Sequence, residues 1–308
     1  MSTDHDEVFT LGHSPDPDDA FMFYAIAKNK IDLRGYRFEH RLEDIQSLND
    51  RAERGELHIS AISIHAYAYV SDKYVLLPCG ASMGDGYGPI VVEKPPTSNS
   101  ESFREQAVQR PTSNKESACR ESAAREFLID KTIAVPGRMT SAFLALQLFL
   151  KREFREVVVP FDQIFEAVQS GRTDAGLIIH EGQLTYGRSG LAKIVDLGEW
   201  WKRETGLPLP LGGNVIRRDI PRPIQRDLVQ ILRESVDFAL AHRPEAIQHS
   251  LPYARDMNAD LAGKFIGMYV NEFTRDYGEI GRAAIRRFLG DAQQAGYIKN
   301  PVELEFAE

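Results

Sequence analysis

His180 closes the apolar run Ala175-Gly-Leu-Ile-Ile179 and is followed by Glu181. An imidazole at a strand end can take a proton near neutrality, because its reference pKa is about 6.5. The plainer reading is a structural histidine bonded to a nearby carbonyl. His65 holds the matching place in the first half of the chain and is the second candidate base. Thr140-Ser141 follows a Pro136-Gly137 turn and opens an apolar helix. Free backbone N–H groups and two hydroxyls at a helix start can seat an anion. They can equally serve as an ordinary N-cap. Ser14, Asp16, Asp18 and Asp19 crowd the start of the first helix. Capping and dipole compensation account for them, and a metal site needs more ligand groups than this loop supplies. Gly80, Gly84, Gly86 and Gly88 allow either close approach of a ligand to the backbone or a tight hinge. The chain has no P-loop, nucleophile elbow, zinc spacing or dinucleotide fingerprint.

These residues need strands and helices to position them. Val8 to Gly12 reads as a strand, and Ala20 to Lys28 as a helix. Ile45, Leu48 and Ala52 mark a second helix at offsets of three and seven. Thr132 to Val135 is a strand and Ala142 to Leu150 a helix, so the strand–turn–helix unit occurs twice. A second repetition is a helix, a glycine and a strand ending in histidine: Gly55 to His65, and Gly171 to His180. Each half thus offers a β-α series for a parallel sheet. Two such sheets imply a two-lobed α/β fold with a ligand at the carboxyl ends of the strands, in a cleft between the lobes. The lobes are expected at residues 6–92 plus 206–308 and at 93–205. Residues 95–126 read as a low-complexity surface insertion. There Pro96-Thr-Ser-Asn-Ser-Glu-Ser102 is echoed by Pro111-Thr-Ser-Asn-Lys-Glu-Ser117, and large apolar groups are too sparse to offset ordering entropy. A short charged helix across 101–110 or 115–126 is the alternative. Trp200-Trp201 and Pro208-Leu-Pro-Leu-Gly-Gly213 read as packing and lobe crossing.

A length of 308 residues suits two domains. The formal net charge of -8 argues against nucleic acid, whose binding rests on a basic footprint. Cys79 and Cys119 have no metal spacing and read as free thiols. The start, Met1-Ser-Thr-Asp-His-Asp-Glu7, lacks the pattern of a secretory signal, which points to the cytoplasm. No apolar run is long enough to span a membrane. The expected partner is a small anionic metabolite; the oligomeric state is left open.

Several segments together resemble the menaquinone-biosynthesis family of the futalosine pathway, in its 1,4-dihydroxy-6-naphthoate synthase branch. They are Ser14-Pro-Asp-Pro-Asp-Asp-Ala-Phe-Met-Phe-Tyr24, Val135-Pro-Gly-Arg-Met-Thr-Ser141, Gly176-Leu-Ile-Ile-His-Glu181, and Asp196-Leu-Gly-Glu-Trp-Trp201 with Thr205 to Gly213. The resemblance implies a type II periplasmic-binding-protein fold. It implies a lyase that splits cyclic dehypoxanthine futalosine into 1,4-dihydroxy-6-naphthoate and dihydroxyacetone, with no cofactor and no metal. It places the catalytic histidine on His180, and substrate binding on Ala61, Ile62, Ser63, Thr140 and Ser141. The chain departs from the branch at Asp16, Asp18 and Ala20, where its members carry Cys, Asn and Thr, and at Ala61, where they carry Lys. Gaining acids and losing a cation would weaken a carboxylate seat, and His65 is the group left to compensate. Alternatives are a chorismate-dehydrating enzyme of the same family and a non-catalytic solute-binding protein.

Overall fold

The strand signals sort into two sheets, each in its own unit. The computed structural model describes residues 8–95, 114–255 and 257–307. One unit takes residues 1–84, 139–141 and 210–308, and the other 85–138 and 142–209.

In the first unit, β1 (Val8–His13) pairs in parallel with β2 (Arg37–Leu42) and β3 (Ile59–Ser63). β4 is Tyr74–Leu76, and β5 is Ser82–Gly84. A long returning strand, Leu209–Arg217, lies antiparallel between β3 and β4 and also pairs β5. Burial follows position. β3 is central and buried at every residue, while β2 is an edge strand that exposes Arg37, Glu39 and Arg41. Charge on an edge strand discourages further pairing. The helix Ile45–Glu53 starts at Asp44, whose carboxylate accepts from the N–H of Gln46 and Ser47 at 3.0 and 3.1 Å. Gly55, at φ +70°, follows the helix end. Phe9, Leu11, Phe21 and Phe23 share one core with Leu228, Ile231 and Leu232 of the helix Arg222–Ala241.

In the second unit, β6 (Ile90–Glu93) is antiparallel to both β9 (Ala175–Ile178) and β10 (Ala192–Asp196). β7 (Thr132–Val135) runs parallel to β8 (Arg155–Val158) and β9. The long returning strand of the first unit is β11. Asp196 ends β10 and caps the helix Leu197–Thr205, accepting from the N–H of Gly198 and Glu199 at 2.9 and 3.0 Å. Burial still pushes its carboxyl up to about 7. Gly198 is obligatory, since a Cβ there would lie 1.9 Å from the Tyr87 carbonyl oxygen. Trp201 is buried and donates its indole N–H to the Pro208 carbonyl at 3.1 Å, a packing role.

Over residues 114–126 the reading as a surface insertion needs correcting in favour of its alternative, the charged helix. They belong to a helix, Asn114–Ile129, that packs on its unit. Glu121 pairs with Arg203, and Arg125 donates to the Phe149 carbonyl at 2.7 Å and stacks on its ring. Ala124 and Leu128 are buried. The remainder of that stretch, 96–113, lies outside the described residues. No helix among the described residues is long and apolar enough to cross a membrane. Both Cys79, which is buried, and Cys119, which is exposed, are free thiols.

If this helix is part of the core, Leu128→Ala should cost about 2–4 kcal/mol in denaturant unfolding. Phe127→Ala, at the exposed neighbour, should cost under about 1 kcal/mol. Equal small effects would mean that the helix contributes nothing to the core.

Candidate active site

The sequence-predicted residues fall into two groups, one per unit. In the first, β3 runs into the helix Ile64–Val70, with Ser63 at the junction. His65 is therefore the second residue of a helix and not a strand end. Asn49 is fully buried on the apolar face of the helix Ile45–Glu53. Its carbonyl oxygen accepts the Ser63 N–H at 2.8 Å. Its amide donates to Ser63 Oγ at 3.1 Å and to the Met139 carbonyl at 3.5 Å. Gln46, one turn earlier, accepts the Met139 N–H at 3.1 Å.

The segment Met139–Ser141 belongs to this unit, and His65 holds it from the other side. The His65 N–H donates to Ser141 Oγ at 3.1 Å. Its Nδ1 lies 3.3 Å from the Thr140 carbonyl, and its Nε2 lies 3.3 Å from the Tyr69 hydroxyl. A carbonyl can only accept, so Nδ1 carries the hydrogen and Nε2 accepts from Tyr69. Burial holds the imidazole neutral, with its pKa lowered to about 4. His65 therefore cannot be the compensating cation near neutrality. Ser63, Thr140 and Ser141 are thus gathered as neutral donors, all buried. Ile62 is also buried, and Ala61 clusters with Leu48 and Leu57. Only backbone groups of these two are suited to polar recognition.

The loop after β1 closes on itself. Ser14 donates its N–H to Asp19 at 2.7 Å and its hydroxyl to Asp16 at 2.9 Å. Asp16 stands at the N-cap of the helix Pro17–Met22 but makes no side-chain cap bond. Asp18 and Asp19 lie in its first turn, as dipole compensation requires. Burial, with Asp16 nearby, pushes the Asp19 carboxyl up to about 7. His13 donates from Nδ1 to the Ser14 carbonyl at 3.2 Å, so its Nε2 accepts from His40 Nδ1 at 3.0 Å.

In the second unit, β9 stops at Ile178 and the chain bends at His180. The His180 Nε2 lies 3.1 Å from the Phe161 carbonyl, so it carries the hydrogen. Its Nδ1 accepts the Gly182 N–H at 3.0 Å. Phe161 and Phe165 flank the ring. An ideal strand would send Glu181 to the opposite side from His180. The bend instead brings its carboxylate to 3.6 Å from Nδ1. A Cβ on Gly182 would meet His180 Cε1 at 2.7 Å, so this close turn needs glycine.

The sequence reading missed Asn49, Gln46 and the His13–His40 pair. Asn49 had a signal: a polar residue on the stripe of Ile45, Leu48 and Ala52. Among the described residues, no group of three or more His, Cys, Asp or Glu is arranged to hold a metal ion.

A family model described as menaquinone biosynthesis matches residues 9–294. The chain is 37% identical over 290 residues to a 1,4-dihydroxy-6-naphthoate synthase of Thermus thermophilus, covering 94% of this chain and 96% of that protein. It is 35% identical over 301 residues to the enzyme of that name from Streptomyces coelicolor, covering 95% of each. A crystal structure of a protein from Archaeoglobus fulgidus is similar with a TM-score of 0.82 and 41% identity, over 96% of this chain and all (100%) of that one. The ligand-binding component of an ABC-type import system from Staphylococcus aureus matches at TM-score 0.67 and 13% identity, over 98% and 96% of the two chains. A Candida albicans protein described as having the generic periplasmic-binding-protein fold matches at TM-score 0.66 and 12% identity, over 96% and 92% of the two chains, so the fold is of that kind.

The buried histidine gives a pH test. The folded state refuses a proton at His65 between about 6.5 and about 4, while the unfolded chain binds it. His65 therefore costs stability as pH falls through that window. His13, also lowered to about 4, acts in the same direction. Asp19 and Asp196, raised to about 7, act oppositely, because there the folded state binds the extra proton. Comparison with His65→Asn isolates one group. The stability of wild type relative to this variant should fall by up to roughly 3 kcal/mol from pH 7 to pH 4. A pH-independent difference would show that His65 is not held neutral.

Proposed function

The chain belongs to the menaquinone-biosynthesis family, and we propose that it is a cytoplasmic lyase acting on a small anionic metabolite. The substrate is cyclic dehypoxanthine futalosine, split into 1,4-dihydroxy-6-naphthoate and dihydroxyacetone. The observation that carries this reading is full-length identity above one third with two proteins named as the synthase. The gathered neutral donors of Ser63, Thr140 and Ser141 support it.

On this reading, the substrate carboxylate is held by the N–H groups and hydroxyls of Thr140 and Ser141, with Ser63 donating its hydroxyl. Its oxygen already accepts from Asn49, so its hydrogen is available to give. His180 removes a hydroxyl proton from the opened sugar. As that oxygen becomes a carbonyl, the adjacent carbon–carbon bond breaks and its electron pair stays on the naphthoate side. A proton returned there completes the retro-aldol step. The pair moves within the substrate, so the step calls for no cofactor. The basic nitrogen of His180 is Nδ1, and substrate must draw it away from the Gly182 N–H.

Incubation of the chain with cyclic dehypoxanthine futalosine should release dihydroxyacetone and the naphthoate. His180→Gln should lower kcat by about 10²–10⁴ with little change in affinity. Thr140→Ala should chiefly raise KM, by roughly 0.5–1.5 kcal/mol of lost hydrogen bonding. Normal turnover by His180→Gln would remove this base. Binding without conversion by wild type would favour a solute-binding protein.

A further inference from the structure

Ser63 stands at the N-cap of the helix Ile64–Val70, yet its side chain makes no cap bond. A serine there ordinarily turns its oxygen onto the N–H of the second or third helical residue. Here the second residue is His65, and its N–H goes to Ser141 Oγ at 3.1 Å. A hydroxyl from a distant part of the chain thus does the capping. The Ser63 hydroxyl is turned to Asn49 instead, 3.1 Å away.

The direction of that bond is fixed by its neighbours. A backbone N–H can only donate, so the Asn49 atom 2.8 Å from the Ser63 nitrogen is the side-chain oxygen. The amide nitrogen must then face Ser63 Oγ, and it too can only donate. Its other hydrogen is directed to the Met139 carbonyl at 3.5 Å, a group that only accepts. Asn49 has no exposed surface, so bulk water cannot stand in for these partners. Two backbone groups of fixed role therefore leave the amide one orientation, and that orientation makes Ser63 Oγ an acceptor from the protein. A hydroxyl held this way presents its hydrogen to a ligand.

We propose that Asn49 is a positioning residue that sets the specificity of the carboxylate seat, an inference that rests on reading Ser63 as part of that seat. Through the Ser63 hydroxyl, Asn49 makes the seat choose a group that only accepts over one of the same shape that also donates. A carboxylate is the first kind and the corresponding carboxamide the second. Size cannot separate the two. Buried polar groups of fixed role can, because a mismatch leaves donors facing donors. Asn49 has no need to touch the ligand in this role.

The test is titration calorimetry on the full chain, with 1,4-dihydroxy-6-naphthoate and its carboxamide as probes. Wild type should prefer the carboxylate by about 100-fold or more. Asn49→Leu removes the amide without adding charge and should narrow that preference about 10-fold. Ser63→Ala should narrow it by a similar factor, and Asn49→Leu added to Ser63→Ala should narrow it no further. Asn49→Asp keeps an acceptor for the Ser63 N–H; it should narrow the preference as well, and it carries the test if the leucine variant misfolds. In turnover, the same variants should raise KM and leave kcat nearly unchanged. A merely structural amide would weaken both probes alike, and an unchanged ratio in the Asn49 variants would overturn the proposal. So would an Asn49→Leu effect that persists in full without the Ser63 hydroxyl. Wild type that binds the naphthoate but does not split cyclic dehypoxanthine futalosine would overturn the lyase alone, and the ratio would still decide the role of Asn49. Wild type that binds neither probe would overturn the seat and this role with it.

Discussion

A side-chain amide without solvent access must find its partners inside the protein. Asn49 does so by joining two segments distant in sequence, the end of β3 at Ser63 and the carbonyl of Met139. Ser63 and Thr140 would otherwise be separate chain termini of two elements. Through Asn49, with Gln46 and His65 on either side, they become parts of one rigid polar cluster. The helix that carries Asn49 is itself fixed by the Asp44 cap and by Leu48 and Ala52 in the core. Misplacing one buried amide would thus disturb every neutral donor that the proposed substrate meets in this unit.

The electrostatics of that cluster follow from burial. His65 is neutral because desolvation outweighs the pull of the Thr140 carbonyl. A seat built this way would hold the proposed anion by oriented N–H and O–H dipoles, as a helix start does. A lysine at Ala61 is therefore not a requirement of the geometry. Nor does the acidic loop press on the seat with its full formal charge. Asp19 is pushed toward its neutral form near pH 7.

Periodicity and composition were enough to place β1, β3, β7 and β9 and the helices that begin at Ile45 and Ser141, and so the region of each candidate, but not β2, β4, β5, β10 or β11. They failed where an element ends, because ends depend on partners distant in sequence. Gly55 to His65 and Gly171 to His180 look alike in sequence. Yet β3 gives way to a helix after Ser63, whereas β9 gives way to a bend after Ile178. One histidine is turned onto the Thr140 carbonyl and the other onto that of Phe161. The helix Asn114–Ile129 stood only as the alternative for a different reason. Its buried stripe of Glu121, Ala124 and Leu128 has a single large apolar group, too little for periodicity to register. The salt bridge to Arg203 and the stacking of Arg125 on Phe149 complete its anchoring. Neither contact leaves a trace in local sequence.

His180 joins the structural and the proposed catalytic reading in one residue. The Phe161 carbonyl fixes Nε2 as the protonated nitrogen, which settles the tautomer and leaves Nδ1 as the only base. Gly182 occupies that base with a neutral N–H. Such a bond is a modest barrier, of about 0.5–1.5 kcal/mol net, and a substrate hydroxyl can offer an equivalent one. In the proposed step Nδ1 takes a proton, and it would then need an acceptor where it had a donor. Glu181, 3.6 Å away, is placed to face that new charge. The bend that ends β9 early is what brings this carboxylate alongside. A regular strand through residue 181 would have kept the histidine and lost the group best suited to stabilise its imidazolium.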